Sequence, residues 1–123
     1  AAHASALPFM PVRSVAELDA VLASATGPVM LDFYADWCVS CKEMERFTFQ
    51  DAAVRERLGR ATLLKADVTA NSADDKALLQ RFGLFGPPGT LFFDVKGQEL
   101  TKLRVVGFVA AREFEQTLQA AGL

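Results

Sequence analysis

The apolar positions of this chain repeat with periods that change from segment to segment, and the changes mark out elements. Residues 9–12 form a short apolar run that predicts a first strand. Ser14-Val15-Ala16-Glu17 follows with the pattern of a capping box, in which Glu17 reaches back to the capping residue. Val15, Leu18, Val21, Leu22 and Ala25 then keep helical spacing until Gly27-Pro28 stops the helix. Val29 to Tyr34 is an apolar run broken by one charge, Asp32. Such a run predicts a strand covered on both faces, as in a parallel or mixed sheet. A helix is expected over residues 38–49. A shorter one follows, capped by Asp51, with Val54 and Leu58 inward and Gly59 at its end. Residues 61–68 predict the next strand. Ser72 or Asp74 opens a helix that turns Leu78, Leu79 and Phe82 inward and ends at Gly83. Gly86-Pro87-Pro88-Gly89 predicts a rigid turn. Residues 90–95 and 103–108 read as two strands joined through Lys96-Gly97, and Ala111, Phe114, Leu118 and Ala121 mark a closing helix.

The order is β-α-β-α-(α)-β-α-β-β-α, which predicts an α/β fold with a central mixed sheet and helices on both faces. Residues 9–123 read as one domain, and residues 1–8, small and weakly patterned, as a linker. The chain opens on Ala1 without a basic-plus-apolar leader, the expectation for a mature form or an excised domain. No internal repeat is present. With 123 residues, 51% hydrophobic and 23% charged, the chain suits a single globule with its own core. Thirteen basic against fifteen acidic residues give a net charge of −2, so no basic surplus exists to neutralise a nucleic acid. The longest uncharged runs, such as residues 82–93, reach 12 residues, against the roughly 20 a spanning helix needs. This segment is therefore not expected to enter a membrane itself.

The two cysteines change the picture most. They stand as Cys38-Val39-Ser40-Cys41 at a strand-to-helix transition. The first thiol falls at a helix N-terminus, where unpaired N–H groups favour a thiolate, and the second lies one turn on. Thiol–disulfide exchange needs both, an attacker and a nearby resolver. A zinc site wants four ligands, and the only histidine, His3, lies far away in the tail. A structural disulfide or an inert thiol pair is the bland alternative.

The segment Val29-Met30-Leu31-Asp32-Phe33-Tyr34-Ala35-Asp36-Trp37-Cys38-Val39-Ser40-Cys41-Lys42-Glu43 resembles the thioredoxin superfamily. Thr48-Phe49, Asp67-Val68-Thr69-Ala70-Asn71 and Leu91-Phe92-Phe93-Asp94 extend the likeness toward the C-terminal domains of DsbD, the membrane thiol:disulfide interchange proteins of Gram-negative bacteria. General thioredoxins carry Gly-Pro between the cysteines, where this chain has Val39-Ser40. The resemblance implies a thioredoxin-like fold and a redox-active disulfide with no other cofactor. It makes Cys38 the exposed nucleophile and Cys41 the buried resolving thiol. It also implies a domain on the periplasmic side of the inner membrane, tethered to a membrane protein. Such a domain takes electrons from the DsbD transmembrane domain and passes them to the DsbD N-terminal domain. A monomeric shuttle is the simplest expectation.

Five further features bear on the site. Asp32, six residues before Cys38, is costly in an apolar strand unless paired or protonated. By resemblance it sits under the dithiol and assists proton transfer for Cys41; otherwise it is an exposed strand-end residue. Glu45 shares a helix face with Cys38 and Cys41 on spacing alone, where a carboxylate disfavours the thiolate. By resemblance it tunes Cys38; otherwise it is a solvated surface Glu. Pro88 best matches the superfamily's cis-proline, with Pro87 as the fallback and an ordinary trans turn as the alternative. Gly89 follows, where a Thr is common in the family. Trp37, Tyr34 and Phe85 are candidates for contacting partners, while Phe92, Phe93, Phe108 and Phe114 follow core spacing. Lys42, early in the helix, is placed to favour a Cys38 thiolate.

Two other functions fit the same residues. One is a free-standing thioredoxin or a reductant for cytochrome maturation. The other is a thioredoxin-fold binding module or metallochaperone, which the remote His3 disfavours.

Overall fold

Twelve elements follow one another in the computed structural model, which describes residues 6–123. They are β1 (Met10–Pro11), α1 (Val15–Ser24), β2 (Val29–Tyr34) and α2 (Val39–Glu43), which widens into a π-helical turn over Met44–Thr48. Then come α3 (Ala52–Leu58), β3 (Thr62–Asp67), α4 (Ala73–Arg81), β4 (Gly89–Phe93), a 3-10 turn (Thr101–Leu103), β5 (Val105–Val106) and α5 (Ala111–Ala120). Residues 1–5 of the expected linker, His3 among them, lie outside the described residues. Leu7, inside that linker, packs against the core with Phe9.

The sheet runs β1-β3-β2-β4-β5. β1, β3 and β2 are parallel, and β4 pairs antiparallel with both β2 and β5. All six residues of β2 are buried, as expected of a strand with neighbours on both sides and helices on both faces. Alternation sorts its side chains. Val29, Leu31 and Phe33 join Leu18 of α1 and Leu78, Leu79 and Phe82 at α4. Met30 joins Met44, Phe49, Val54, Leu58, Phe114 and Leu118 on the opposite face. Phe114 sits at the middle of that second cluster, its ring 5.6 Å from Phe49 and 6.2 Å from Phe92.

Local chemistry explains most boundaries. Ser14 Oγ accepts the Glu17 N–H at 3.1 Å, but Glu17 is solvent-exposed and the structure shows only that half of the expected capping box. The reciprocal box forms at α4 instead, between Ser72 and Asp75. Gly83, at φ +66°, lets the chain leave α4 in a conformation that a side chain disfavours.

Two expectations need correcting. The helix predicted over residues 38–49 is not uniform. Thr48 Oγ1 donates to Val109 O at 2.6 Å and Val109 N–H donates to Met44 Sδ at 3.4 Å, and between these two anchors the turn widens. The strand predicted over residues 103–108 shrinks to Val105–Val106, because Gly107, at φ +91°, turns the chain and bonds Pro88 O at 3.2 Å. Phe108, expected in the core, is 42% exposed as a result.

If Phe114 holds the second cluster together, Phe114→Ala costs about 3–5 kcal/mol. Urea unfolding measures this as a lower midpoint at unchanged m. A loss under about 1 kcal/mol contradicts that packing role.

Candidate active site

β2 ends at Tyr34, and a three-residue loop delivers Cys38 as the capping residue of α2. Cys38 and Cys41 are joined in a disulfide, with their Cα atoms 5.2 Å apart. The Cys41 N–H donates to Cys38 Sγ at 3.1 Å, so an otherwise unpaired amide of the helix start points at the first sulfur. The same bond favours negative charge on that sulfur once the disulfide opens. Cys41 Sγ lies 3.8 Å from Phe33 O, toward the sheet. The expectation of an exposed Cys38 is not met in this disulfide form: Cys38 is 6% exposed and Cys41 3%. Both sulfurs belong to the apolar cluster of β2 and α4, and the relief around them comes from Trp37 and Val39, 61% and 72% exposed.

Asp32 is buried on β2, opposite Thr90 of β4 and Lys65 of β3. Burial pushes its carboxyl up to about 8, against a smaller downward pull from Lys65 and a further upward push from Glu45. The alternative of an exposed strand-end Asp does not describe this position.

Glu45 meets neither sulfur in a hydrogen bond. It sits in the π-helical turn, and its Oε2 accepts from Lys65 Nζ at 2.9 Å. That ammonium also lies 3.9 Å from the centre of the Tyr34 ring. Tyr34 is buried, so its expected role as a partner-contacting residue is corrected. Its hydroxyl donates to Asp36 Oδ1 at 3.0 Å and accepts from Lys42 Nζ at 3.2 Å. Lys42 is thus engaged on Tyr34 rather than on Cys38.

The loop before the disulfide is tied down by Thr69. Asp36 N–H donates to Thr69 Oγ1 at 2.8 Å, and Trp37 Nε1–H donates to Thr69 O at 3.1 Å. A cleft of about 360 Å³ opens between Trp37 and the loop of Phe85, Gly86 and Pro87. Phe85 is fully exposed at its rim. The peptide bond between Pro87 and Pro88 is cis, which makes Pro88 the cis residue of the two candidates. Gly89 follows in β4, where a Cβ would stand 3.1 Å from Leu84 Cδ1.

Lys65 and Thr69 are the residues that sequence reasoning passed over. A signal existed for the first: Lys65 is the one charge inside the run Thr62-Leu63-Leu64-Lys65-Ala66, as Asp32 is in β2. Among the described residues, no group of three or more His, Cys, Asp or Glu is placed to hold a metal ion, and no helix is long and apolar enough to cross a membrane.

Comparison with known proteins agrees with this geometry. The model of a thioredoxin-like domain matches residues 16–122. The thiol:disulfide interchange protein DsbD of Ralstonia nicotianae is 60% identical over 92% of this chain, and that of Pectobacterium atrosepticum 51% identical over 95%. The chain spans only about a fifth of the length of these relatives, 19% and 20%. The reduced C-terminal domain of DsbD from Neisseria meningitidis superposes with a TM-score of 0.76 at 36% identity, covering 91% of this chain and 99% of that one. Its oxidised form gives 0.71 at 38% identity, covering 85% and 88%. At this identity and coverage the chain belongs to the thioredoxin-like family, among the C-terminal domains of DsbD proteins.

Proposed function

We propose that this domain is a protein-disulfide reductase that relays electrons by dithiol–disulfide exchange. The observation that carries the reading is the Cys38–Cys41 disulfide at the start of α2, with the Cys41 N–H on Cys38 Sγ and a buried carboxyl, Asp32, in the strand that leads to it. In the reduced domain, the Cys38 thiolate attacks one sulfur of a partner disulfide. An intermolecular S–S bond forms, and the partner's other sulfur leaves as a thiolate that takes a proton. Cys41 then attacks Cys38 Sγ, and its proton passes, with the buried Asp32 carboxyl assisting the transfer, to the partner thiolate that this step displaces. The partner's second thiolate leaves, and the domain is left with the intramolecular disulfide of this structure. Two electrons have passed to the partner. A dithiol elsewhere restores the domain by the reverse steps.

The DsbD name of the relatives supports a relay between protein dithiols. In this reading the donor is the transmembrane domain and the acceptor the N-terminal domain of the same protein. The domain then works as a monomeric unit in the periplasm, tethered to the inner membrane. The cleft between Trp37 and Pro87 and the exposed Phe85 are where a partner disulfide would dock.

Three outcomes test this. Cys41→Ala should accumulate a mixed disulfide with a partner domain through Cys38, while Cys38→Ala should form none; non-reducing electrophoresis reads both. Equal trapping by the two variants would overturn the assignment of attacker and resolver. The reduction potential, followed by Trp37 fluorescence in a thiol buffer, should lie well below about −200 mV. A value near about −120 mV would reverse the direction of flow.

The third outcome concerns Asp32. Its raised pKa means that the folded oxidised domain holds this proton more tightly than the unfolded chain, whose value is near 3.8. That contribution to stability is complete below about pH 4 and is lost as pH rises through about 8. Between pH 5 and 9 the wild type should therefore lose at least ~1 kcal/mol more than Asp32→Asn. Urea midpoints at the two pH values decide it, and parallel losses would count against a buried, protonated Asp32.

A further inference from the structure

The cleft beside Trp37 does not end at Phe85. A second hollow of about 540 Å³ adjoins it, and the two share Asn71, Leu79 and Phe85 in their walls. One wall of the second hollow is a stripe of α4. Lys76, Leu79, Gln80 and, just past the helix end, Gly83 stand three or four residues apart on one face. Leu84 and Phe85 of the following loop line it as well. Leu79 is buried, Leu84 half-buried and Phe85 fully exposed, so the hollow offers an apolar seat beside a projecting ring. Around it Asn71, Lys76 and Gln80 are exposed, and their side chains make no hydrogen bond or ion pair among the described residues. Arg81, on the same helix, is by contrast committed to Asp19.

We propose that this second hollow is a subsite for the protein partner: an extended segment flanking the partner's reacting cysteine passes Phe85, seats an apolar side chain against Leu79 and Leu84, and sets a carboxylate on Lys76. Continuity favours this occupant. A chain whose disulfide lies in the Trp37 cleft meets the second hollow directly, because Phe85 borders both. Dimensions agree. The stripe from Lys76 to Gly83 is about 10 Å long at helical rise, the reach of about three extended residues. Alternate side chains of such a segment lie about 7 Å apart on one side of the chain, which lets two of them straddle a ring. Charge selects the acid, since Lys76 is a cation at this groove with no carboxylate of its own.

The inference rests on the proposed exchange chemistry and names the partner segment that chemistry would recognise. The probes are short peptides joined as symmetrical disulfides. Each has a central cysteine, with leucine two residues and glutamate four residues from it on both sides. A second peptide has lysine for glutamate, and a third has serine for leucine. Oxidation of the reduced domain by each is followed through Trp37 fluorescence. At low salt the glutamate peptide should react about 3–10-fold faster than the lysine peptide, and the gap should close at about 0.5 M salt. Lys76→Glu should reverse the preference. Lys96→Glu makes the same charge change beyond Phe93, which pairs with the start of β2, far from Cys38, and should keep it. Serine for leucine should slow the wild type by about 3–10-fold. An equal glutamate-to-lysine ratio in wild type and Lys76→Glu, or no loss with serine, would overturn the proposal. Self-association that Phe85→Ser abolishes, without discrimination among the peptides, would give the hollow to a second copy of the chain and overturn it too. If no peptide is reduced, the proposed function falls with it, whereas equal reduction of all three sinks this inference alone.

Discussion

A carboxyl group buried in the central strand is the constraint on which this site depends. Leaving Asp32 charged and alone in the interior would cost several kcal/mol, far more than an ordinary surface contact returns. The chain meets that cost by holding the proton up to about pH 8 and by setting a lysine beside the carboxyl in register. Both solutions need β2 to be the middle strand. An edge strand would expose Asp32 to water, and its proton would leave near the ordinary pH. The parallel pairing of β2 with β3 and its antiparallel pairing with β4 therefore do more than close a core. They set the protonation state of a group six residues before the first cysteine.

The rim of the disulfide follows a different logic. Its parts come from three loops, and short polar bonds hold them: Thr69 to Asp36 and Trp37, and Gly107 to Pro88. The sulfurs are buried, while the side chains of Trp37 and Val39, adjacent to Cys38 in the chain, are exposed. Small residues keep approach open at Gly86 and Gly107. Pro87 offers a neighbouring chain a carbonyl but no N–H, which limits how an extended segment can pair there.

Much of this was legible in the chain. Helical and strand periods placed every long element, because α1, α4 and α5 each bury one stripe and β2 buries both faces. Asp32 stood out as a lone charge in an apolar run, and Pro88 as the second proline of a rigid turn. The π-helical turn was not legible, since Met44 and Thr48 find their partner at Val109, more than sixty residues on. Phe108 fits strand spacing and is still exposed, because Gly107 reverses the chain just before it. Lys65 went unremarked although it is the one charge in its run, because its partners Tyr34 and Glu45 are remote in sequence. The failures share a cause: each depends on a contact between segments that periodicity treats separately.

Tyr34 joins the two halves of the site. Its hydroxyl bonds Asp36, in the loop that carries Trp37, and its ring seats the ammonium that faces Asp32. A residue expected at the docking rim is thus internal, with one end in each network. Its polar tip needs a partner because it is nearly buried, and Asp36 and Lys42 supply one acceptor and one donor. A phenylalanine in this place would keep the ring under Lys65 but leave Asp36 and Lys42 without it. A leucine would do the opposite damage as well, since no aliphatic side chain attracts an ammonium. The tyrosine is the side chain that satisfies both demands at one position, so the loop bearing Trp37 and the proton-holding side of the site are linked through a single buried ring.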